Sequence, residues 1–263
     1  MTGEKIKNAK RIVIKIGSST LTHSTGKLNL RRIETLAKTI CDYSNSGREI
    51  ILVSSGSISA GSAKLGIETP LTKIEEKKAA AAVGQVELMN IYARFFADYG
   101  VKTAQILVTR DVVDDEVRRE EAKQTFSALL SMACVPIVNE NDTVSSDEIK
   151  FSGNDILSAY VSNLCNADLL INFTDRDGMY DKNPAKFDDA ILIRRVEKIT
   201  DEVMAYAGGA GTARGTGGFI TKLQAAEMIY EKHTPMIIAN GENPLILYDI
   251  LEGNIAGTII ENI

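Results

Sequence analysis

The chain has 263 residues, of which 44% are hydrophobic and 25% are charged, and its formal net charge is −5. These values are typical of a soluble globular protein that can bury a core as one large α/β domain or as two small ones. The negative charge argues against a nucleic-acid-binding surface, and without a run of about eighteen apolar residues no membrane span is predicted.

The cysteines indicate a reducing compartment. Cys41, Cys134 and Cys165 are widely spaced, odd in number and set in apolar or helical contexts, which favours buried free thiols over disulfides. The segment from Met1 to Arg11 contains lysines but no apolar stretch before the first strand, so it is not predicted to be a secretion signal. The expected location is therefore the cytoplasm.

Strand and helix patterns alternate almost throughout the chain. Apolar or β-branched runs that are typical of buried strands cover Arg11–Ile16, Ile50–Val53, Val101–Val108, Val135–Val138, Leu169–Phe173 and Met236–Ala239, and a last apolar run covers Thr258–Ile260. Helical spacing of apolar residues covers Asn29–Tyr43, Ala79–Phe96, Glu116–Leu130, Asp155–Leu164, Phe219–Glu231 and a short piece near Leu245–Leu251. The alternation predicts a mostly parallel sheet with helices on both faces.

Two stretches depart from this alternation. The segment Ser54–Gly61 reads as a Ser/Gly turn that ends the second strand, and Gly178–Asp189 is expected to be an excursion between two lobes of one domain.

A glycine-rich stretch runs from Gly208 to Lys222 and ends where a helical pattern begins. Six glycines lie between Gly208 and Gly218, and each would destabilise a helix by about 0.5–1 kcal/mol relative to alanine. The stretch is therefore a loop. Backbone N–H groups, a helix start and Lys222 meet there, an arrangement that holds phosphate in many proteins. A flexible surface loop would explain the composition equally well.

Polar residues follow four of the predicted strands. In an open parallel sheet, ligands bind beyond the carboxyl ends of the strands. The polar groups in question are Lys15 with Gly17–Ser19, Ser54–Ser57, Asn139–Asp142 and Thr174–Gly178. Each group alone reads as an ordinary strand end or turn. Together they predict one edge of the sheet lined with hydrogen-bond donors and carboxylates.

Several other classes of site fail on spacing. Asp175–Asp181 resembles a calcium loop, but its glycine stands at the fourth position and Lys186 occupies the place of the bidentate glutamate. A Walker motif is absent after the first strand, and Gly215–Phe219 does not directly follow a strand as a dinucleotide fingerprint would. His23 and His233 lack zinc or triad spacing. Lysines, backbone donors and carboxylates without a nucleophile suit phosphoryl transfer.

Six segments resemble, in chain order, the signature segments of amino acid kinases. They are Ile12–Ser19, Val53–Gly61, Val135–Val144, Gly153–Ala159, Thr174–Pro184 and Gly215–Ala226. The strings NEND, GND and GTGG…TKLQAA are similar to those of the family members that phosphorylate glutamate. The resemblance spans nearly the whole chain and implies a three-layer α/β/α sandwich around a mostly parallel sheet. It also implies a single domain over residues 1–263, in which about 1–165 binds the amino acid and about 166–263 binds the nucleotide.

The resemblance implies ATP-dependent phosphorylation of the side-chain carboxylate of L-glutamate, the first step of proline biosynthesis, with Mg²⁺ on the phosphates. Proline as a feedback inhibitor and a homo-oligomer, dimer or tetramer, are further implications. Two rivals remain. One is another amino acid kinase whose acceptor is acetylglutamate, aspartate or a nucleoside monophosphate. The other is a non-catalytic sensor of nucleotides or amino acids.

Site residues carry over where this sequence matches the family's motifs. Lys15 and Lys222 would stabilise the transferring phosphoryl group from opposite sides, and Asp155 would orient both lysines. Further ATP-binding positions are Gly17, Ser18, Thr174, Asp175, Thr216, Gly217, Gly218, Phe219, Ile220 and Thr221. The substrate-binding positions are Ser55, Gly56, Asn139, Asp142 and Asn154. Asp142 suits the substrate ammonium, and Ser55 and Asn154 suit its carboxylates. A protein ligand for the metal is not predicted.

This sequence also departs from the family pattern. Ser57 stands where alanine is usual, which we expect to be tolerated, and Phe219 stands where methionine is common. The segment Arg119–Phe126 diverges, which bears on oligomer contacts or local packing. Many family members carry a C-terminal PUA domain, and we expect none in this chain.

Overall fold

The computed structural model describes residues 2–145, 151–207 and 218–261, and ten strands lie within these ranges. They are β1 (Arg11–Ile16), β2 (Glu49–Ser54), β3 (Lys102–Val108), β4 (Cys134–Glu140), β5 (Leu169–Thr174), β6 (Met179–Tyr180), β7 (Leu192–Ile193), β8 (Arg195–Val196), β9 (Met236–Asn240) and β10 (Thr258–Ile260). Eight of them form one sheet in the order β3-β4-β2-β1-β5-β9-β10-β8, and β6 pairs separately with β7. All neighbours from β3 to β9 are parallel, and only β10 runs antiparallel to β9.

Helices cover both faces of the sheet. They are α1 (Thr2–Lys7), α2 (Ser18–Leu21), α3 (Leu30–Asn45), α4 (Ser57–Lys64), α5 (Ile74–Ala97), α6 (Arg110–Asp114), α7 (Glu116–Ser131), α8 (Asn154–Cys165), α9 (Asp201–Ala207), α10 (Phe219–Tyr230) and α11 (Ile246–Leu251). The predicted three-layer α/β/α architecture is therefore confirmed. The predicted strands and longer helices are present, with ends that differ by a few residues. In the described part of the chain, no helix is both long and apolar enough to cross a membrane.

Alternation along β1 assigns its side chains to two separate cores. Ile12 and Ile14 pack with α3, α5 and α11, whereas Val13 packs on the opposite face with α8 and α10. Because side chains alternate along a strand, Lys15 lies on the same face as Val13. The strand therefore delivers one buried lysine to the helical layer formed by α8 and α10.

The sequence pattern misread the segment after β2, where a helix replaces the expected turn. Ser57–Lys64 forms α4 because its small residues let the helix contact α5 backbone to backbone. A Cβ added at Gly61 would lie 1.8 Å from the carbonyl oxygen of Ala80, and one at Gly84 would lie 1.8 Å from that of Ser57. Glycine serves close packing here, and the pair fixes α5 against the start of α4.

The irregular stretch Gly178–Asp189 contains β6, which pairs with β7 a short distance along the chain. The three cysteines are free, as predicted. Cys41 and Cys165 are also buried, and burial raises the pKa of each to about 12, whereas Cys134 is only partly buried and the prediction of burial is wrong there.

Candidate active site

The predicted polar residues meet at one edge of the sheet. Strands β1, β2, β4 and β5 run parallel, so their carboxyl ends lie side by side. Helices α8 and α10 pack against each other and begin at this same edge. Segments far apart in the sequence thus contribute to one site.

A buried carboxylate lies at the centre of this edge. Asp155, in the first turn of α8, is 2.7 Å from the Lys15 Nζ through Oδ1 and 3.0 Å from the Lys222 Nζ through Oδ2. All three residues are buried, with exposed fractions of 3% for Asp155, 6% for Lys15 and 5% for Lys222. The structure therefore joins the three residues that the sequence predicts to be catalytic.

Two further side chains complete the environment of this carboxylate. Thr221 places its Oγ1 2.7 Å from Oδ2 of Asp155, and Asn172 donates from Nδ2 to Oδ1 over 2.8 Å. Each carboxylate oxygen thus has two partners, which fills the hydrogen-bonding capacity of an ionised carboxylate. Sequence reasoning missed Asn172, a fully buried residue in the otherwise apolar strand β5, where it pairs with Lys15. The only signal for Asn172 in the sequence was a single amide side chain within an apolar strand, where a buried polar group needs a partner.

The charges of the cluster are strongly coupled. Burial alone would raise the pKa of Asp155, but the ammonium groups of Lys15 and Lys222 outweigh burial and hold that pKa far below its usual range. Burial, assisted by the charge of Lys15, lowers the pKa of Lys222. Asp155 is therefore an ionised carboxylate, and it lies between the two lysines.

The helix starts at this edge present their backbone N–H groups without a side-chain cap. Glycine occupies the N-cap of α2, α4, α8 and α10, and in the described residues no side chain caps any of these starts. Gly56 and Gly153 each adopt a φ of 105°, which favours glycine. Uncapped N–H groups at a helix start favour anionic ligands.

The residues predicted to bind the nucleotide lie around the lysines where the structure describes them. A Cβ added at Gly17 would lie 3.5 Å from the Lys15 Nζ, so this ammonium is close to the backbone that follows β1. Ser18 is the first residue of α2, and Thr174 is the last residue of β5.

On the α10 side, Asp175 lies near enough to Lys222 for its charge to oppose the lowering of the lysine pKa. Gly218 caps α10, Phe219 is buried and Ile220 is 41% exposed. Thr216 and Gly217 lie outside the described residues, as does the part of the glycine stretch from Gly208 to Gly215.

Beside the lysines, a second hydrogen-bond network joins four residues. Ser55, Asn139 and Asn154 are predicted to bind the acceptor, and the fourth residue is Gln85. Asn154 donates from Nδ2 to the Ser55 Oγ over 2.8 Å and to the Asn139 Oδ1 over 2.9 Å. Asn139 in turn donates from Nδ2 to the Oε1 of Gln85 in α5, over 3.0 Å. Gln85 is a second residue that sequence reasoning missed, since it lies in a long helix without a motif of its own.

Asp142 lies next to this network. The Oγ of Ser57 donates to its Oδ2 over 2.9 Å, so the serine that replaces the usual alanine holds a predicted substrate residue. Burial raises the pKa of Asp142 above 3.8, although the Ser57 hydrogen bond opposes the shift. The adjoining Ser54 is fixed by the buried Tyr92, whose hydroxyl is 2.9 Å from the serine Oγ.

We predict that Asp155→Asn lowers the free energy of unfolding by about 3–5 kcal/mol, because it leaves two buried ammonium groups without their carboxylate. Urea denaturation at neutral pH measures the effect. The matched control is Asp114→Asn, which removes an exposed i,i+4 pair with Arg110 and should change stability by under about 1 kcal/mol. Equal effects of the two variants would contradict the account of the buried cluster.

Comparison with known proteins places this architecture among kinases. A profile of the amino acid kinase family matches residues 10–240. Two solved structures share the fold at low sequence identity. The UMP kinase of Bacillus anthracis gives a TM-score of 0.66 at 16% identity, covering 97% of this chain and 96% of that one. An isopentenyl phosphate kinase of T. acidophilum gives 0.65 at 16% identity, covering 95% and 100%.

Much closer sequence relatives carry one name. A glutamate 5-kinase of Listeria welshimeri is 48% identical and covers 98% of this chain and 95% of its own length. A glutamate 5-kinase of Clostridium perfringens is 50% identical and covers 97% and 96%. These findings confirm the resemblance that the motifs indicate, and the chain belongs to the amino acid kinase family.

Proposed function

We propose that this protein phosphorylates the side-chain carboxylate of L-glutamate with ATP, giving L-glutamyl 5-phosphate and ADP, the first step of proline biosynthesis. The observation that carries the proposal is the pair of buried lysines held by Asp155, directly beside a polar acceptor network. The printed name of relatives 48–50% identical over nearly the whole chain supports glutamate over acetylglutamate, aspartate or a nucleoside monophosphate.

Lys15 and Lys222 stabilise the transferring phosphoryl group. Its oxygens carry the charge of the transition state, and catalysis depends on positioning and on preorganised cations more than on covalent chemistry. Lys15 comes from β1 and Lys222 from α10, so the two ammonium groups approach from different elements while Asp155 fixes their geometry. The glutamate carboxylate is itself the nucleophile, which explains why the site needs no nucleophilic side chain.

ATP occupies the edge formed by β1, β5 and α10. We assign its binding to Lys15, Gly17, Ser18, Thr174, Asp175 and the run Thr216–Lys222. The uncapped start of α10 supports this assignment, because its N–H groups and helix dipole favour phosphate, and Gly17 and Ser18 offer further backbone N–H groups. We assign the binding of glutamate to Ser55, Gly56, Asn139, Asp142 and Asn154. Asp142 forms an ion pair with the substrate ammonium.

Mg²⁺ fits this site as a companion of ATP. In the described ranges no group of three or more His, Cys, Asp or Glu side chains is placed to hold a metal. Asp155 already has a full set of partners. Magnesium commonly binds through substrate phosphates and keeps several waters, and bound there it would neutralise charge on the phosphates.

The remaining assignments follow the family. We propose one domain over residues 1–263, with the acceptor bound by about 1–165 and the nucleotide by about 166–263. Proline acts as a feedback inhibitor at the glutamate site, and the protein forms a homo-oligomer, a dimer or a tetramer. The three free cysteines support a cytoplasmic location.

The test of the proposed function is ATP turnover across acceptors. ADP release should require L-glutamate, should be negligible with acetylglutamate, aspartate or UMP, and should fall when proline is added. A coupled ADP-release assay with each acceptor measures this. ADP release at the same rate with and without L-glutamate would overturn the proposal.

Replacing either lysine should abolish most of the chemistry. Lys15→Ala or Lys222→Ala is expected to lower kcat by about a hundredfold or more, since each removes one preorganised cation from the transition state. Steady-state kinetics with saturating glutamate and ATP provide the measurement. The exposed Lys102→Ala serves as control and should keep its kcat, while near-normal turnover in either site variant would refute the assigned role.

Asp142 should make kcat/KM for glutamate decrease at acid pH. Burial raises its pKa, so its carboxyl becomes neutral as pH falls through a value above the ordinary one, and it then pairs poorly with the substrate ammonium. We expect kcat/KM for glutamate to fall at acid pH as Asp142 is protonated. Asp142→Asn should remove this part of the pH dependence and should also lower kcat/KM at neutral pH. The KM for ATP should stay nearly unchanged. Parallel losses for both substrates would count against the role.

A further inference from the structure

Gln85 closes the acceptor network on the side away from the lysines. It projects from α5, is half-buried, and accepts from the Asn139 Nδ2 through its Oε1 over 3.0 Å. Asn139 leads on to Asn154, which directly precedes Asp155. A chain of three amides thus connects Gln85 to the lysine cluster, and the direction of its hydrogen bonds decides which atoms remain for a ligand.

One backbone group fixes that direction. The N–H of Glu140 donates to the Asn139 Oδ1 over 2.9 Å, so this amide cannot rotate without setting two donors against each other. The Asn139 Nδ2 must therefore face Gln85, and Gln85 must accept this hydrogen bond through its Oε1. Asn154 must present its Nδ2 to the other side of Asn139, as it does over 2.9 Å.

These hydrogen-bond directions leave specific donors available for a substrate. With Oε1 engaged, Gln85 is left with its Nε2 donor, which makes no hydrogen bond to any residue the structure describes. The Ser55 Oγ accepts from Asn154 and retains its own proton. Asn139, by contrast, uses its oxygen and one N–H inside the network. Its second N–H is the group that it retains for a substrate, while its other contacts orient its neighbours.

The position of Gln85 is rigid. Its neighbour Gly84 has no room for a Cβ, which would lie 1.8 Å from the Ser57 carbonyl oxygen and 2.4 Å from the Gly61 amide nitrogen. Backbone contact therefore locks this turn of α5 to the helix that carries Ser57, the partner of Asp142. With its backbone fixed and its Oε1 held by Asn139, the Gln85 side chain loses less conformational entropy when its Nε2 binds a ligand.

We propose that Gln85 is a substrate-binding residue whose Nε2 donates to the α-carboxylate of the amino acid, an inference that rests on the proposed function. The reacting side-chain carboxylate must lie by Lys15 and Lys222. Gln85 is separated from that cluster by Asn139 and Asn154, so it meets the opposite end of the substrate. The α-carboxylate is the anionic group at that end. A neutral N–H donor at this position favours binding of the substrate carboxylate. An acidic side chain at the same position would repel that carboxylate.

Gln85→Glu separates this role from a purely structural one. Glutamate keeps an oxygen for the Asn139 Nδ2 but replaces the Nε2 donor with a second oxygen that repels the substrate carboxylate. We expect the KM for L-glutamate to rise by about 10- to 100-fold, as for a lost hydrogen bond to a charged group, with the KM for ATP unchanged. L-isoglutamine, which carries an α-amide and keeps the side-chain carboxylate, should lose far less or improve.

The ratio of kcat/KM for L-glutamate to that for L-isoglutamine is the decisive readout. It should fall by about 10- to 100-fold in Gln85→Glu and stay at the wild-type value in Gln105→Glu, which makes the same charge change at an exposed position of β3. Gln85→Met removes both the Nε2 donor and the Oε1 acceptor without adding charge. It should raise the KM for glutamate about tenfold and leave the KM for ATP unchanged, and it provides the test if Gln85→Glu does not fold.

The possible outcomes are distinct. An unchanged ratio in a folded Gln85→Glu variant, with the wild type active on glutamate, overturns the role of Gln85 and leaves the proposed function standing. A loss of ATP affinity parallel to that of glutamate overturns it as well, because it indicates a structural defect. A wild type that uses neither acceptor overturns the proposed function itself.

Discussion

The site depends on one carboxylate that keeps two ammonium groups inside the protein. Lys15 and Lys222 are both buried, and neither could remain charged there without a close counter-ion. Asp155 serves both, one through each oxygen, and Thr221 and Asn172 fill its remaining acceptor positions. Two lysines contact this one carboxylate, and the charge of Asp175 acts on Lys222 from farther out. In the proposed reaction an anionic phosphoryl group would complete the balance of charge around the two lysines.

The fold supplies the rest of the positive field from its backbone. Because β1, β2, β4 and β5 are parallel, the helices that follow them or pack on them begin at one edge, and glycine N-caps leave those helix starts open. A side-chain cap at any of them would satisfy the N–H groups internally. The glycines thus combine two effects: they permit the required backbone angles and they keep donors available for an anion.

Sequence reasoning recovered the features that are local and missed those that depend on distant packing. The polar residues after each strand were visible because parallel topology brings strand ends together. Asn172 and Gln85 were not, since each gains its role from a partner on another element, Asp155 on α8 and Asn139 on β4. The helix α4 was read as a turn because glycine and serine signal turns locally. Only contact with α5 explains why small residues suit a helix at that position.

The first turn of α8 joins the two halves of the site. Asn154 belongs to the acceptor network through Ser55 and Asn139, and the next residue, Asp155, holds the lysines. Consecutive residues at a helix start diverge by roughly 100°, so one backbone position serves two networks that point in different directions. A shift of this turn would move Asn154 and Asp155, and with them both networks, together. Packing of α8 against α10 and β1 resists that shift, so the proposed alignment of acceptor and phosphoryl group depends on packing in the core.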